Sequence, residues 1–240
     1  MSFKGFFITG TDTEVGKTLV AGAIILKLQS MGIKTIGFKP VVAGMRQIDG
    51  NMVNEDVETL LMVSREISPN LIASDICPYF LKDPAAPHIV ALQYGLELSL
   101  HKMMAHYDRL AEKSDAVIVE GAGGFLVPIN EELTLGDFAQ QLNLPVILVI
   151  DIKLGCINHA LLTAEAITRR GLVLHGWVAN STQLDLTYTS ENLNTLRNIL
   201  KKQFNADFLG HIPHISEIST NGIYTIEILT ITTSYFQLYV

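Results

Sequence analysis

The chain has 240 residues, 48% apolar and 17% charged, which suits one globular domain with a substantial core. A net charge of −7 and a pI near 5.4 argue against a nucleic-acid binder, which would carry a basic face. Cys77 and Cys156 have no metal or redox spacing, and the N-terminus lacks a signal-peptide layout, so a reducing, cytoplasmic location is expected.

Strand-like runs alternate with helical patterns along the chain. A strand at 4–9, "KGFFIT", leads through a glycine-rich loop into a helix from Lys17 to Ser30, with apolar Leu19, Val20, Ala23, Ile24 and Ile25 and a stop at Gly32. A second strand is predicted at 34–40, expected beside the first, and a short helix at 55–64. A helix at 97–113 precedes the buried strand "DAVIVEG" (115–121). The wholly apolar "LPVILVID" (144–151) reads as a central parallel strand covered on both faces. A helix near 157–170, a strand at 172–180, a helix near 187–203 and a strand at 207–213 follow. The stretch from Gly222 to Val240 is β-branched and aromatic but contains Glu227, Gln237 and many threonines. It reads as strand, edge or core rather than a membrane span.

This alternation predicts a single α/β domain over 1–240, a mainly parallel sheet flanked by helices on both faces. Ligands of such sheets bind beyond the carboxyl ends of the strands. Gly10, Lys39, Glu120, Asp151 and Asn180 all fall at predicted strand ends.

The loop "GTDTEVGKT" (10–18) has five residues between Gly10 and Gly16, where the usual phosphate-binding loop has four. Its strand–loop–helix setting is nevertheless the one such a loop requires, since free N–H groups and the helix dipole then face the phosphates. Lys17 would reach the outer phosphates and Thr18 would ligate Mg²⁺. The bland alternative is a glycine-rich turn with a solvated lysine. In "VIVEGAGG" (117–124), Glu120 stands where a second metal-associated carboxylate belongs, and Gly121, Gly123 and Gly124 permit close backbone approach.

Lys39 could neutralise a transferring phosphoryl group, although exposed strand-end lysines are common. Asp56 reads either as a helix-start carboxylate or as a metal ligand, and spacing does not decide between them. Free N–H groups near Cys156, Ile157 and Asn158 could bind a carboxylate, whereas Cys156 itself reads as a packing residue. The seven histidines lack zinc-ligand spacing.

Together these stretches resemble the dethiobiotin synthetase family. The matching strings include "TGTDTEVGKT" (9–18), "FKPVVAG" (38–44), "NEDVETL" (54–60), "VEGAGGFLVPI" (119–129), "LPVILVIDIKLGCINHALLTAE" (144–165), "GWVAN" (176–180) and "LGHIP" (209–213). They occur in the family's order and cover most of 3–214, leaving a divergent tail at 215–240.

The resemblance implies an ATP- and Mg²⁺-dependent homodimer that closes a cyclic urea from 7,8-diaminononanoate and CO₂, with no nucleic-acid or membrane partner. It places Lys17, Lys39 and Thr13 at the reacting groups and Thr18, Asp56 and Glu120 on the metal. It surrounds ATP with Glu14, Val15, Gly16, Lys17, Thr18, Leu19, Asp56, Glu120, Gly121, Ala122, Gly123, Asn180, Ser181, Ile212, Pro213 and His214. The diamine would contact Thr13, Lys39 and Ala43, with Leu154, Gly155, Cys156 and Asn158 supplied by the other subunit.

Three departures accompany it. Ala43 replaces a frequent serine, Asn192 stands near a substrate tyrosine's position, and the adenine edge near Glu217 lies in divergent sequence. Rival readings are a partition-type ATPase switch, a cobyrinate-type amide synthetase and a nucleotide-binding paralogue without catalysis.

Overall fold

Gly5–Gly10 forms strand β1, every residue of it buried, and Lys17–Ser30 forms helix α1. The computed structural model describes residues 3–48, 50–184, 187–215 and 222–239. After α1 come β2 (Thr35–Phe38), β3 (Val42–Ala43), β4 (Arg46–Ile48), β5 (Asn51–Val53), α2 (Glu55–Arg65), α3 (Ala73–Ile76), β6 (Phe80–Leu81), α4 (Pro87–Gln93) and α5 (Leu100–Ala111). The second half contains β7 (Ala116–Gly124), α6 (Leu135–Leu142), β8 (Val146–Asp151), α7 (Cys156–Arg169), β9 (Leu174–Asn180), α8 (Thr189–Phe204) and β10 (Asp207–Ile212). A short helix α9 (Ile226–Thr232) and a 3₁₀ turn (Thr233–Tyr235) follow.

Six strands make one sheet in the order β10-β9-β8-β1-β7-β2, and all five pairings are parallel. Adjacent residues of a strand point to opposite faces, and β2 shows that both faces are covered. A Cβ on Gly37 would lie 3.0 Å from Ile25 of α1 and 3.1 Å from Leu60 of α2. The neighbouring Phe38 ring instead packs on Tyr107 of α5 and Phe138 of α6. Burial on both sides explains why β1, β7 and β8 read as unbroken apolar runs.

Two expectations need correction. First, β2 is not beside β1, because β7 lies between them. This nine-residue strand pairs with β1 on one side and β2 on the other, and so carries Glu120 into the gap between the glycine loop and Lys39. Second, the described part of the tail is mainly helical, not a strand. Its one ladder contact is an isolated antiparallel bridge between Gly210 and Phe236.

The tail's β-branched residues fit a helix because their hydroxyls find local partners. Thr225 caps α9 by accepting from the Ile228 N–H, while Thr230 and Thr232 donate to the carbonyls of Ile226 and Ile228, each at 2.7 Å. Packing supplies the rest. Leu229 is fully buried against α1, a burial worth about 2 kcal/mol. Lys27 of α1 donates to the carbonyls of Thr233 and Phe236, both at 2.8 Å. No helix among the described residues is long and apolar enough to cross a membrane.

Candidate nucleotide and metal site

The chain leaves β1 at Gly10 and turns through a loop whose shape depends on two glycines. Gly16 has φ +93°, and a Cβ there would lie 2.3 Å from Asn180 Nδ2. Its absence lets the Asn180 amide close over the loop and donate to the Val15 carbonyl at 3.0 Å. A Cβ on Gly10 would meet Val15 Cγ2 at 2.5 Å. Glu14 also takes a left-handed φ of 58°, which is uncommon for a residue with a Cβ. Lys17 folds back, and its ammonium donates to the Asp12 carbonyl at 2.8 Å. Burial, helped by the positive charge of Lys39, pulls the Lys17 pKa down to about 8.

Asp56 sits in the first turn of α2, where Asn54 caps the helix by accepting from the Asp56 and Val57 N–H groups at 3.1 and 3.3 Å. The same Asn54 donates to the Gly44 carbonyl at 3.2 Å, tying the Ala43–Gly44 end of β3 to the helix that carries Asp56.

The Thr18 hydroxyl lies 2.6 Å from Asp56 Oδ1 and 2.7 Å from Glu120 Oε1. Lys39 Nζ lies 2.8 Å from Asp56 Oδ2 and 2.6 Å from Glu120 Oε1, and donates to the Gly121 carbonyl at 3.2 Å. Burial works to lower the Lys39 pKa, but the two carboxylates override it and hold the ammonium above its ordinary value. Burial likewise works to raise Asp56, yet Lys39 and the Thr18 hydroxyl keep it below the usual carboxylate range. Glu120 is buried completely, and there desolvation prevails and raises the pKa despite Lys39.

The same oxygens suit a hard divalent cation. One hydroxyl proton cannot serve both carboxylates, and the buried Glu120 Oε2 has no hydrogen-bond partner. Thr18, Asp56 and Glu120 thus present an all-oxygen set of the kind Mg²⁺ prefers. Among the described residues no cluster of three or more His, Cys, Asp or Glu side chains could hold a metal. A two-carboxylate set fits an ion that takes its other ligands from water and nucleotide phosphates.

Beside the loop is a cavity of about 150 Å³, lined by Glu14, Gly16, Leu19, Asn180, Ser181, Thr182, Pro213, His214, Ile215 and Tyr224. Its far wall is braced by polar contacts. Thr182 donates through N and Oγ1 to Asp151 Oδ1 at 3.2 and 2.8 Å, and His214 Nδ1 donates to the Thr182 carbonyl at 3.1 Å. A larger cleft of about 470 Å³ at α3 and α5 contains none of the loop or strand-end residues, so the smaller cavity is the candidate site.

The structure therefore brings Lys17, Thr18, Lys39, Asp56 and Glu120 together, and it lines the cavity with Glu14, Gly16, Leu19, Asn180, Ser181, Pro213 and His214. Thr13 faces the end of β7, its Oγ1 3.4 Å from where a Cβ on Gly123 would lie. Ile212 is buried at the end of β10.

Leu154, Gly155 and Asn158 are exposed where β8 meets α7, while Cys156 is buried as a packing residue. Glu217 lies outside the described residues. Sequence reasoning missed Thr182, Ile215 and Tyr224. The first two adjoin residues it had chosen, whereas Tyr224 sits in a tail whose composition gave no sign of a site.

A strand–loop–helix phosphate cradle and a buried carboxylate on the neighbouring parallel strand define a nucleotide-binding domain of the P-loop NTPase type. The chain belongs to the AAA domain family (AAA_26), which it matches over residues 4–221 and which includes dethiobiotin synthetase. Among solved structures it is similar to the septum site-determining protein MinD from Pyrococcus horikoshii complexed with Mg-ADP. That match has a TM-score of 0.56 and 15% identity and covers 95% of this chain and 92% of the other. The MinC:MinD cell division complex of Aquifex aeolicus gives 0.53 and 12%, covering 95% and 85%. The signal recognition particle receptor FtsY from Elizabethkingia anophelis, in complex with GDP, gives 0.45 and 16% over 88% of this chain. The chain spans only 57% of that receptor.

Proposed function

We propose that this protein is a dethiobiotin synthetase, an ATP-dependent cyclo-ligase acting on 7,8-diaminononanoate and CO₂. The observation that carries the reading is Lys39. It is a buried lysine held between Asp56 and Glu120 beside the phosphate loop, a second cation placed to balance charge on a transferring phosphoryl group.

In the proposed reaction one substrate amine adds to CO₂ and loses a proton, giving a carbamate. A carbamate oxygen then attacks the γ-phosphorus as the bond to ADP breaks. The second amine attacks the carbonyl carbon of the resulting mixed anhydride, and phosphate leaves as the ring closes. Each stage gathers negative charge on adjacent oxygens, and Lys17 and Lys39 are the cations set to balance it. Thr18, Asp56 and Glu120 would hold Mg²⁺, which supplies charge neutralisation at the phosphates. Asn180, Ser181, Pro213 and His214 would surround the adenine. The 154–158 segment, exposed at Leu154, Gly155 and Asn158, would complete the diamine site of a partner protomer in a homodimer. Ala43 lacks the hydroxyl a serine would offer the diamine, so binding there would rest on Thr13 and Lys39.

The rival partition-type switch shares the fold, but residues 10–15 hold no second lysine of the kind that group uses. The deciding experiment supplies ATP, Mg²⁺, bicarbonate and the diamine, and follows cyclic-urea formation with phosphate release. Diamine-dependent release with one urea per phosphate is expected. Phosphate release indifferent to the diamine would sink the proposal.

A further inference from the structure

The family match ends at residue 221, yet the chain beyond it returns to the nucleotide cavity. Tyr224 forms part of the cavity wall, and its position is fixed from two sides. Its backbone N–H donates to Thr59 Oγ1 at 3.2 Å, anchoring it to α2, the helix that carries Asp56. Immediately after it, α9 is held on α1. A Cβ on Gly22 would lie 2.9 Å from Leu229 Cδ2, so glycine there admits the leucine closely, and Lys27 grips the carbonyls that follow α9. A residue anchored this way is placed by the core and not by a loose terminus.

Location within the cavity narrows what Tyr224 can touch. The cavity it lines is bounded by Asn180, Ser181 and Pro213, by Glu14 and Gly16 of the loop, and by Leu19, the residue after the metal-side Thr18. The phenol of Tyr224 lies in the field of the Asp56 and Glu120 carboxylates. Burial first, and then those two carboxylates, push its pKa up to about 12, so the hydroxyl stays protonated and available as a donor.

We propose that Tyr224 is a nucleotide-binding residue whose hydroxyl donates a hydrogen bond, in this cavity, to a part of the nucleotide that the diphosphate and the triphosphate share. The inference rests on the nucleotide half of the function proposed above and is independent of the diamine chemistry.

The test is calorimetric titration of the full chain with Mg²⁺-ATP and Mg²⁺-ADP, comparing wild type with Tyr224→Phe and Tyr224→Ala. The phenylalanine variant keeps the ring and the N–H to Thr59, so its thermal melt without nucleotide should match wild type. Loss of one hydrogen bond to a charged ligand predicts about tenfold weaker binding of both nucleotides. Phenylalanine-variant affinities within about twofold of wild type would overturn the proposal. So would a loss confined to ATP, which would move the contact to the γ-phosphate. Because binding is the readout, absence of diamine turnover would leave this result standing.

Discussion

Raising the pH from about 7 to about 9 should weaken nucleotide binding about tenfold, and the change should run through Lys17. The lysine is buried, donates to the Asp12 carbonyl at 2.8 Å, and is repelled by the Lys39 ammonium, which together with desolvation brings its pKa to about 8. Only the ammonium form can pair with phosphate oxygens, and that form is lost as the pH rises through about 8. The cationic fraction is then about 0.9 at pH 7 and about 0.1 at pH 9, which is the source of the tenfold figure. Lys39 does not contribute, because its carboxylate partners keep it charged across this range. Bound phosphates favour the charged form, so binding above pH 8 should also take up a proton. Calorimetry of Mg²⁺-ADP at both pH values, in two buffers of different ionisation enthalpy, reads affinity and proton uptake together. A flat affinity with no proton uptake would refute the reasoning, and Lys17→Met should bind weakly with the pH dependence gone.

Two further perturbations test the cluster and the loop. Lys39→Met removes the cation between Asp56 and Glu120; loss of a buried partner of this kind costs about 3 kcal/mol, and turnover should fall by at least about 100-fold. Thermal melts with and without Mg²⁺ should show the ion stabilising the variant more than wild type, and near-normal turnover would remove Lys39 from the site. Gly16→Ala forces a side chain into a left-handed position against Asn180 Nδ2, and should cost about 1–3 kcal/mol and abolish nucleotide binding. Unchanged titration curves for that variant would mean that the loop does not need its glycine.

The parallel sheet was legible because β1, β7, β8 and β9 are buried strands that end in Gly10, Glu120 and the following glycines, Asp151 and Asn180. Strand order was not, since a crossover connection leaves no local mark of which neighbour a strand takes. The position of β7 between β1 and β2 is a tertiary outcome. The strands β3 to β6 are two or three residues long, too short for an alternation to show. The tail misled for a different reason. Its valine-like composition favours strands in general, but threonine hydroxyls bonded within the turn and a leucine seated over Gly22 made a helix the better-packed answer. Asp56 kept two readings in the sequence, a helix-start carboxylate and a metal ligand, and the structure shows the first directly. It occupies the first turn of α2 and also meets Thr18 and Lys39.

The five-residue gap in the glycine loop acquires a physical rationale from what lies on each side of it. Glu14 and Gly16 face the nucleotide cavity. Thr13, one residue earlier, faces the glycine-rich end of β7, where Gly123 has φ +63° and a Cβ would lie 2.9 Å from Val127 and 3.4 Å from the Thr13 hydroxyl. Gly10 is in register with Gly124, so the two glycine segments leave the sheet side by side. A loop with one residue fewer would have to give up one of these contacts, because a single tight turn around phosphates presents its N–H groups inward. Between Thr13 and Gly16, Glu14 takes a left-handed φ of 58°. In the proposed reaction the second substrate would reach the γ-phosphate from the Thr13 side, between the loop and the end of β7. There Lys39, donating to the Gly121 carbonyl, stands next to the metal-side oxygens. In that proposal the additional loop residue and the buried second lysine would be two parts of one arrangement, together admitting a nucleophile beside the γ-phosphate.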